Sequence, residues 1–168
     1  LLQAERPDVI VNAAAYTAVD KAEAEEDAAF AVNAHGAGNM AAAAAAAGVP
    51  VIHLSTDYVF SGEGDRPWRE DDPTGPQGAY GRSKLAGEEA VRAANPRHAI
   101  LRTSWVYAPW GHNFARTMLR LAEDRDVVRV VADQHGAPTY APDIAEGILA
   151  VARVALADRM ASVGQLAA

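Results

Sequence analysis

The stretch Asp8-Val9-Ile10-Val11-Asn12-Ala13-Ala14-Ala15 decides how the rest of the chain reads. Val9, Ile10 and Val11 are consecutive β-branched residues with no polar alternation, a pattern that suits a strand buried on both faces. The residues after it are small, so the strand ends in a turn with little side-chain bulk. Strands of this kind belong to parallel sheets covered by helices, and the sequence outward from residue 8 keeps to that scheme. Helix formers dominate from Asp20 to Ala34 and again from Gly36 to Ala47, until Gly48-Val49-Pro50 stops the second run. Val51-Ile52-His53-Leu54 is a second buried strand, closed by Ser55-Thr56-Asp57.

Between Ser61 and Gly81 the chain carries five glycines and three prolines among polar residues, which predicts a long loop. A helix follows from Tyr80 to Ala94, ended by Asn95-Pro96. Ala99 to Thr103 is a third strand, Asn113 caps a helix running to Glu123, and Val127 to Val131 is a fourth strand. Pro142 opens a last helix with Ile144, Ile148 and Val151 on one apolar face. The expected fold is α/β, a doubly wound, Rossmann-like parallel sheet in one domain over residues 1–168. Leu1 to Pro7 resembles the tail of a helix, and no closing element follows Ser162 to Gln165, so the sheet is expected to be incomplete at both ends.

Composition narrows the function. The chain has 168 residues, 50% of them hydrophobic and 22% charged, as in ordinary globular proteins. Its net charge of -7 provides no basic field for nucleic acid. No apolar run approaches the ~20 residues of a membrane span, and Leu1-Leu2-Gln3 does not begin a signal peptide, so the expected location is cytoplasmic. The absence of cysteine excludes thiol catalysis and zinc-thiolate sites, and the histidines at 35, 53, 98, 112 and 135 show no ligand spacing. The acidic run Glu23-Ala24-Glu25-Glu26-Asp27 reads as a solvated helix face.

In a doubly wound sheet, ligands sit beyond the carboxyl ends of the strands. There, the Ala13-Ala14-Ala15 turn would let a flat ligand approach the backbone, and the Thr56 hydroxyl could hydrogen-bond a substrate oxygen. Tyr80 and Lys84 stand four apart at a helix start, hence on one face. A phenol with pKa ~10 is a poor acid or base near neutrality. An ammonium one turn away, with the helix dipole, is expected to draw that pKa down so that Tyr80 can exchange a proton with a carbonyl or alcohol oxygen. Taken singly, each feature has a plainer reading: Thr56 as a turn or cap residue, Trp105 as core, Tyr80 and Lys84 as a buried ring and a surface charge.

The motifs PDVIVNAAAYTAVDKAE, STDYVFSG, YGRSKLAGE, RTSWVYA and DQHGAPT, from about Arg6 to Leu156, occur in an order that resembles the extended short-chain dehydrogenases and, within them, the dTDP-4-dehydrorhamnose reductase family. The resemblance implies an NAD(P)H-dependent oxidoreductase that reduces the 4-keto group of a dTDP-linked sugar to give dTDP-L-rhamnose for polysaccharide. It implies Tyr80 as proton donor, Lys84 as holder of the nicotinamide ribose and Thr56 as the group that polarises the ketone. Ala13, Ala14, Ala15 and Tyr16 would then line NADP(H) or NAD(H), and Asp57, Tyr58, Trp105 and Asn113 would face the sugar. Residues 133–168 would lead toward the family's substrate lobe. Mg2+ is associated with the family, but no ligand set for it is matched here, and the resemblance leaves a homodimer open. The family's Gly-rich dinucleotide turn and the residues that choose NAD or NADP are not in this sequence. Two other readings share the pattern: a regulatory subunit like the beta subunit of methionine adenosyltransferase, and a nucleotide-sugar epimerase or dehydratase.

Overall fold

A computed structural model of the chain describes residues 2–166, with side chains placed for all of them except Gln3 and 158–166. Three parallel strands form the main sheet in the order β1 (Ile10–Asn12), β2 (Val51–Thr56), β3 (His98–Thr103). The register pairs Ile10 with Val51, Val51 with His98 and Thr56 with Thr103. Three of the four apolar runs expected as strands are therefore found, in a parallel sheet. Parallel neighbours need crossover connections, and here helices supply them. The first crossover contains α2 (Val19–Ala22), α3 (Glu26–Phe30), a π-helical segment (Ala31–Gly36) and α4 (Ala37–Ala46). The second contains a 3-10 turn (Asp57–Val59), the expected loop, and α5 (Ala79–Ala94).

The core follows from strand alternation. Val51 is buried with Ala37, Ala41 and Ala44 of α4 and Val91 of α5, so both helices cover one face of β2. The small alanines let α4 sit close to the sheet. The residues between, Ile52 and Thr56 among them, point to the other face, and α7 (Ala141–Leu166) also contacts β2 with Ala152 buried. The apolar face expected there is present, since Ile144, Ile148 and Val151 are half-buried and Ala152 beside them is buried. A short helix α1 (Leu2–Glu5) lies where the sequence suggested a helix tail. Asn113 caps α6 (Phe114–Asp124), its Oδ1 accepting the Arg116 N–H at 3.1 Å. Among the described residues no helix is long and apolar enough to cross a membrane.

Two expectations need correction. No strand forms at Val127–Val131; the segment is irregular, and Val127, Val130 and Val131 are exposed. β propensity alone does not make a strand without a neighbour to complete its hydrogen bonds, and the ladder is used elsewhere. Val106–Tyr107 (β4) pairs in parallel with Thr139–Tyr140 (β5), a small second sheet that the sequence did not reveal. Second, the helix does not break near His35: Phe30, Gly36 and Ala37 all keep helical dihedrals, and the turn widens into a π segment instead. The acidic run is solvent-exposed as expected, with only Glu25 half-buried, and it also makes contacts. Glu23 accepts the Ala79 N–H at 2.7 Å, Glu25 accepts the Tyr16 hydroxyl at 2.7 Å, and Glu26 pairs with Arg82 at 2.9 Å. These acids fasten the first crossover to the start of α5.

Candidate active site

The predicted residues come together at the carboxyl ends of β1 and β2. Thr56 is the last residue of β2, and Tyr80 and Lys84 lie on the first turns of α5, which packs on that strand. The Thr56 hydroxyl acts on the Tyr80 phenol, favouring its ionised form. Lys84 is only 2% exposed, and its Nζ donates to the Leu54 carbonyl at 2.7 Å, which orients the ammonium across the end of the strand. Thr56 is also a cap, accepting the Tyr58 N–H at 3.3 Å, so the plainer reading of this residue holds as well. Its hydroxyl lies 3.2 Å from Asp57 Oδ1. Burial raises the Asp57 carboxyl above its ordinary pKa, against the lowering by the Thr56 hydrogen bond. Tyr58 stands edge-on to Tyr80 with ring centroids 5.6 Å apart and is 43% exposed.

The charge argument for Tyr80 is reversed here. Its phenol is raised rather than lowered: burial dominates, Asp57 adds to it, the Thr56 hydroxyl opposes it, and Lys84 is not among the causes. Lys84 itself is pushed down to about 8 by burial, with the Glu88 charge resisting. The pocket therefore keeps the phenol protonated, the form a proton donor needs.

On the β1 side, Ala13 and Ala14 are exposed and Ala15 and Tyr16 half-buried. Asn12 shapes this turn: its Oδ1 accepts the Ala14 N–H at 3.2 Å and its Nδ2 lies 3.0 Å from His53 Nδ1. No side chain larger than methyl projects from Ala13 to Ala15, so a flat ring can reach the backbone there. Residues that could hold a nicotinamide cofactor are this turn, at the carboxyl end of β1, with Tyr80 and Lys84 on the first turns of α5. Trp105 is 45% exposed and adopts φ 45°, a left-handed conformation that costs a tryptophan free energy. Its ring covers Gly136, where a Cβ would come within 2.5 Å of Trp105 Cε2. Asn113 is committed elsewhere, with Oδ1 in the α6 cap and Nδ2 donating to the Ala108 carbonyl at 2.8 Å. Among the described residues no His, Asp and Glu side chains group as a metal-ligand set would.

Several polar residues of the site escaped the sequence reading. Asn33, buried in the π segment, accepts the Tyr16 N–H at 2.8 Å and donates to Ser83 Oγ at 2.9 Å, and Ser83 in turn donates to the Tyr80 carbonyl at 2.8 Å. That chain ties the β1 turn to the helix that carries Tyr80. π segments inside α-helices are frequent at functional sites, but their sequences carry no clear mark. Glu88 was legible in principle, since it lies one further turn along from Lys84 on the same helical face. Gly81 and Gly87 permit close approach: a Cβ at Gly81 would lie 2.3 Å from the Tyr58 carbonyl oxygen, and one at Gly87 2.1 Å from that of Asn33.

Comparison with known proteins agrees with this fold. A family model described as the RmlD substrate binding domain matches residues 1–166. A dTDP-4-dehydrorhamnose reductase of Sinorhizobium fredii is 60% identical over 147 residues, 88% of this chain and 50% of that protein. The chain thus spans about half the length of the curated relatives it matches. A solved dTDP-4-dehydrorhamnose reductase from Clostridium acetobutylicum superposes with TM-score 0.89 at 45% identity, covering 92% of this chain and 55% of that one. The Bacillus anthracis enzyme, solved in complex with NADP, superposes with TM-score 0.88 at 44% identity, again over 92% and 55%.

Proposed function

The chain belongs to the RmlD substrate-binding-domain family, and from this premise we propose that its protein reduces the 4-keto group of dTDP-4-dehydro-L-rhamnose to dTDP-L-rhamnose with NAD(P)H. The observation that carries the reading is the convergence of Thr56, Tyr80 and Lys84 beside the open alanine turn at the carboxyl ends of the strands.

When bound, the reduced nicotinamide supplies the hydride that adds to the carbonyl carbon. As the carbonyl electron pair moves onto oxygen, Tyr80 gives that oxygen its proton, and the Thr56 hydroxyl donates a hydrogen bond to the same atom. Lys84, one helical turn from Tyr80 and held on the Leu54 carbonyl, takes the nicotinamide ribose and so sets the cofactor against the proton donor. Asp57, Tyr58 and Trp105 surround the place a sugar would occupy. Asn113 has its amide engaged, so its part is to fix α6 rather than to grip the sugar. The fold and the relatives' activity suit a cytoplasmic enzyme.

The direct test is turnover. The complete protein, given dTDP-4-dehydrorhamnose and NADPH, should consume both in equal amounts and release dTDP-rhamnose. Absence of turnover, together with co-purification with a methionine adenosyltransferase, would favour the regulatory-subunit reading.

A further inference from the structure

Four residues past Lys84, Glu88 is fully buried yet carries a carboxylate. Its Oε1 accepts from Ser55 Oγ at 2.6 Å and from Arg102 Nε at 2.8 Å; its Oε2 accepts from Arg102 Nη2 at 2.7 Å and Arg92 Nη2 at 2.9 Å. Burial by itself would raise this acid, but the Arg102 and Ser55 hydrogen bonds hold it below its ordinary range, so it is an anion. Burying a charge is costly unless it is paired and hydrogen-bonded, and here both carboxylate oxygens are. The arrangement joins three elements, α5, β2 and β3, at the strand ends, with Ser55 adjacent to Thr56 in the chain.

Arg102 extends the connection outward. Its Nη1 donates to the Glu70 carbonyl at 3.1 Å, and its guanidinium lies 4.8 Å from the centre of the Phe60 ring. Phe60 stacks on Trp68, centroids 4.8 Å apart and planes within 2°. Glu70 and Trp68 belong to the loop that leads from Tyr58 to Tyr80, the two rings that meet edge-on in the site. Without this anchor a stretch rich in glycine and proline has little to hold its middle, where links include the Arg66–Asp72 pair, Gly75 N–H to the Val59 carbonyl and, at its end, Arg82 Nη1 to the Gln77 carbonyl.

The geometry points to Glu88 as a positioning residue of the reductase: through Arg102 it latches the loop between Tyr58 and Tyr80, and through Ser55 it fixes the strand end that carries Thr56 and the Leu54 carbonyl bonded by Lys84. The inference rests on the proposed reduction for its kinetic consequences only; the latch itself stands on the contacts. Two variants of the complete protein separate its parts. Trp68→Ala removes the stacking in the loop and leaves the buried ion pair, so it should fold; Glu88→Gln removes the anion from Arg102.

Both variants should be cut by trypsin after Arg69 about tenfold faster than the parent, because cleavage follows the population of the opened loop. If turnover is seen, Trp68→Ala should raise KM for the sugar nucleotide with little change in kcat. Glu88→Gln should also lower kcat and move its alkaline limb to lower pH, since Lys84 loses the anion that favours its ammonium. The other groups facing Lys84 are His53 from β2 and the Leu54 carbonyl; those facing Glu88 are Arg92, Ser55, Arg102 and His53, and of these His53 also loses, in Glu88→Gln, an anion that favours its protonation. Glu88→Asp, which keeps the charge, should return the limb toward its parent position. An unchanged rate of cleavage after Arg69 in Trp68→Ala overturns the latch, whether or not Glu88→Gln folds and whether or not the parent reduces keto-sugars. An unshifted limb in a folded Glu88→Gln that retains turnover overturns the coupling to Lys84.

Discussion

At the scale of single residues, chemistry that depends on spacing was legible in the sequence and chemistry that depends on environment was not. Tyr80 and Lys84 share a helical face because they are four apart, and Thr56 reaches them because a strand must end somewhere near the helix that follows it. The direction of the Tyr80 shift could not be foreseen, because burial, which decides it, depends on neighbours brought in from α2, α3 and the 3-10 turn. The same holds for Glu23, Glu25 and Glu26, whose partners are distant in sequence or set by the turn at Tyr16. A residue-scale prediction follows from the two duties assigned to Lys84. Lys84→Met in the complete protein should lower kcat and also weaken NADPH binding, each by about tenfold or more. Steady-state kinetics beside a cofactor titration would check it; a change in kcat alone would contradict the ribose contact.

Among elements, the apolar runs that became β1, β2 and β3 were readable because burial on both faces leaves an unbroken β-branched signature. Val127–Val131 carries a similar signature and forms no strand, which shows that the signature needs a partner to be realised. The π segment was unreadable for a different reason. It arises where α3 and α4 meet α5, and the clue lies on α5, in Gly87, rather than in the segment. Gly87→Ala should therefore destabilise the fold by roughly 1–3 kcal/mol, because its methyl meets the Asn33 backbone and not a flexible side chain. Denaturant unfolding of variant and parent would measure this, and an unchanged midpoint would mean that α5 can move away without loss.

For the molecule as a whole, the pH dependence of stability reports on the buried interior of the sheet. His53 is fully buried on β2 and its pKa falls from the ordinary 6.5 to about 4, through burial first and the Lys84 charge second. As pH falls, the unfolded chain therefore takes up this proton before the folded one does. The stabilisation is complete above pH 6.5 and is lost between 6.5 and about 4, amounting to roughly 2–3 kcal/mol. Asp72, held at about 2 by its Arg66 hydrogen bonds, loses its contribution only below its ordinary 3.8, so the two windows do not overlap. Unfolding measured across this range should show a slope that His53→Gln flattens; a slope unaltered by the substitution would place its origin elsewhere. The central claim, that Tyr80 is the proton donor of a keto-sugar reduction, has a more direct test in the complete protein. Tyr80→Phe removes one hydroxyl and keeps the ring that packs against Ala22, Ala29 and Ala79. The decisive measurement is kcat of this variant for dTDP-4-dehydrorhamnose, beside its NADPH affinity by calorimetry. A loss of about 10²–10⁴-fold in kcat with affinity unchanged is the predicted result, and a kcat within about threefold of the parent would contradict it.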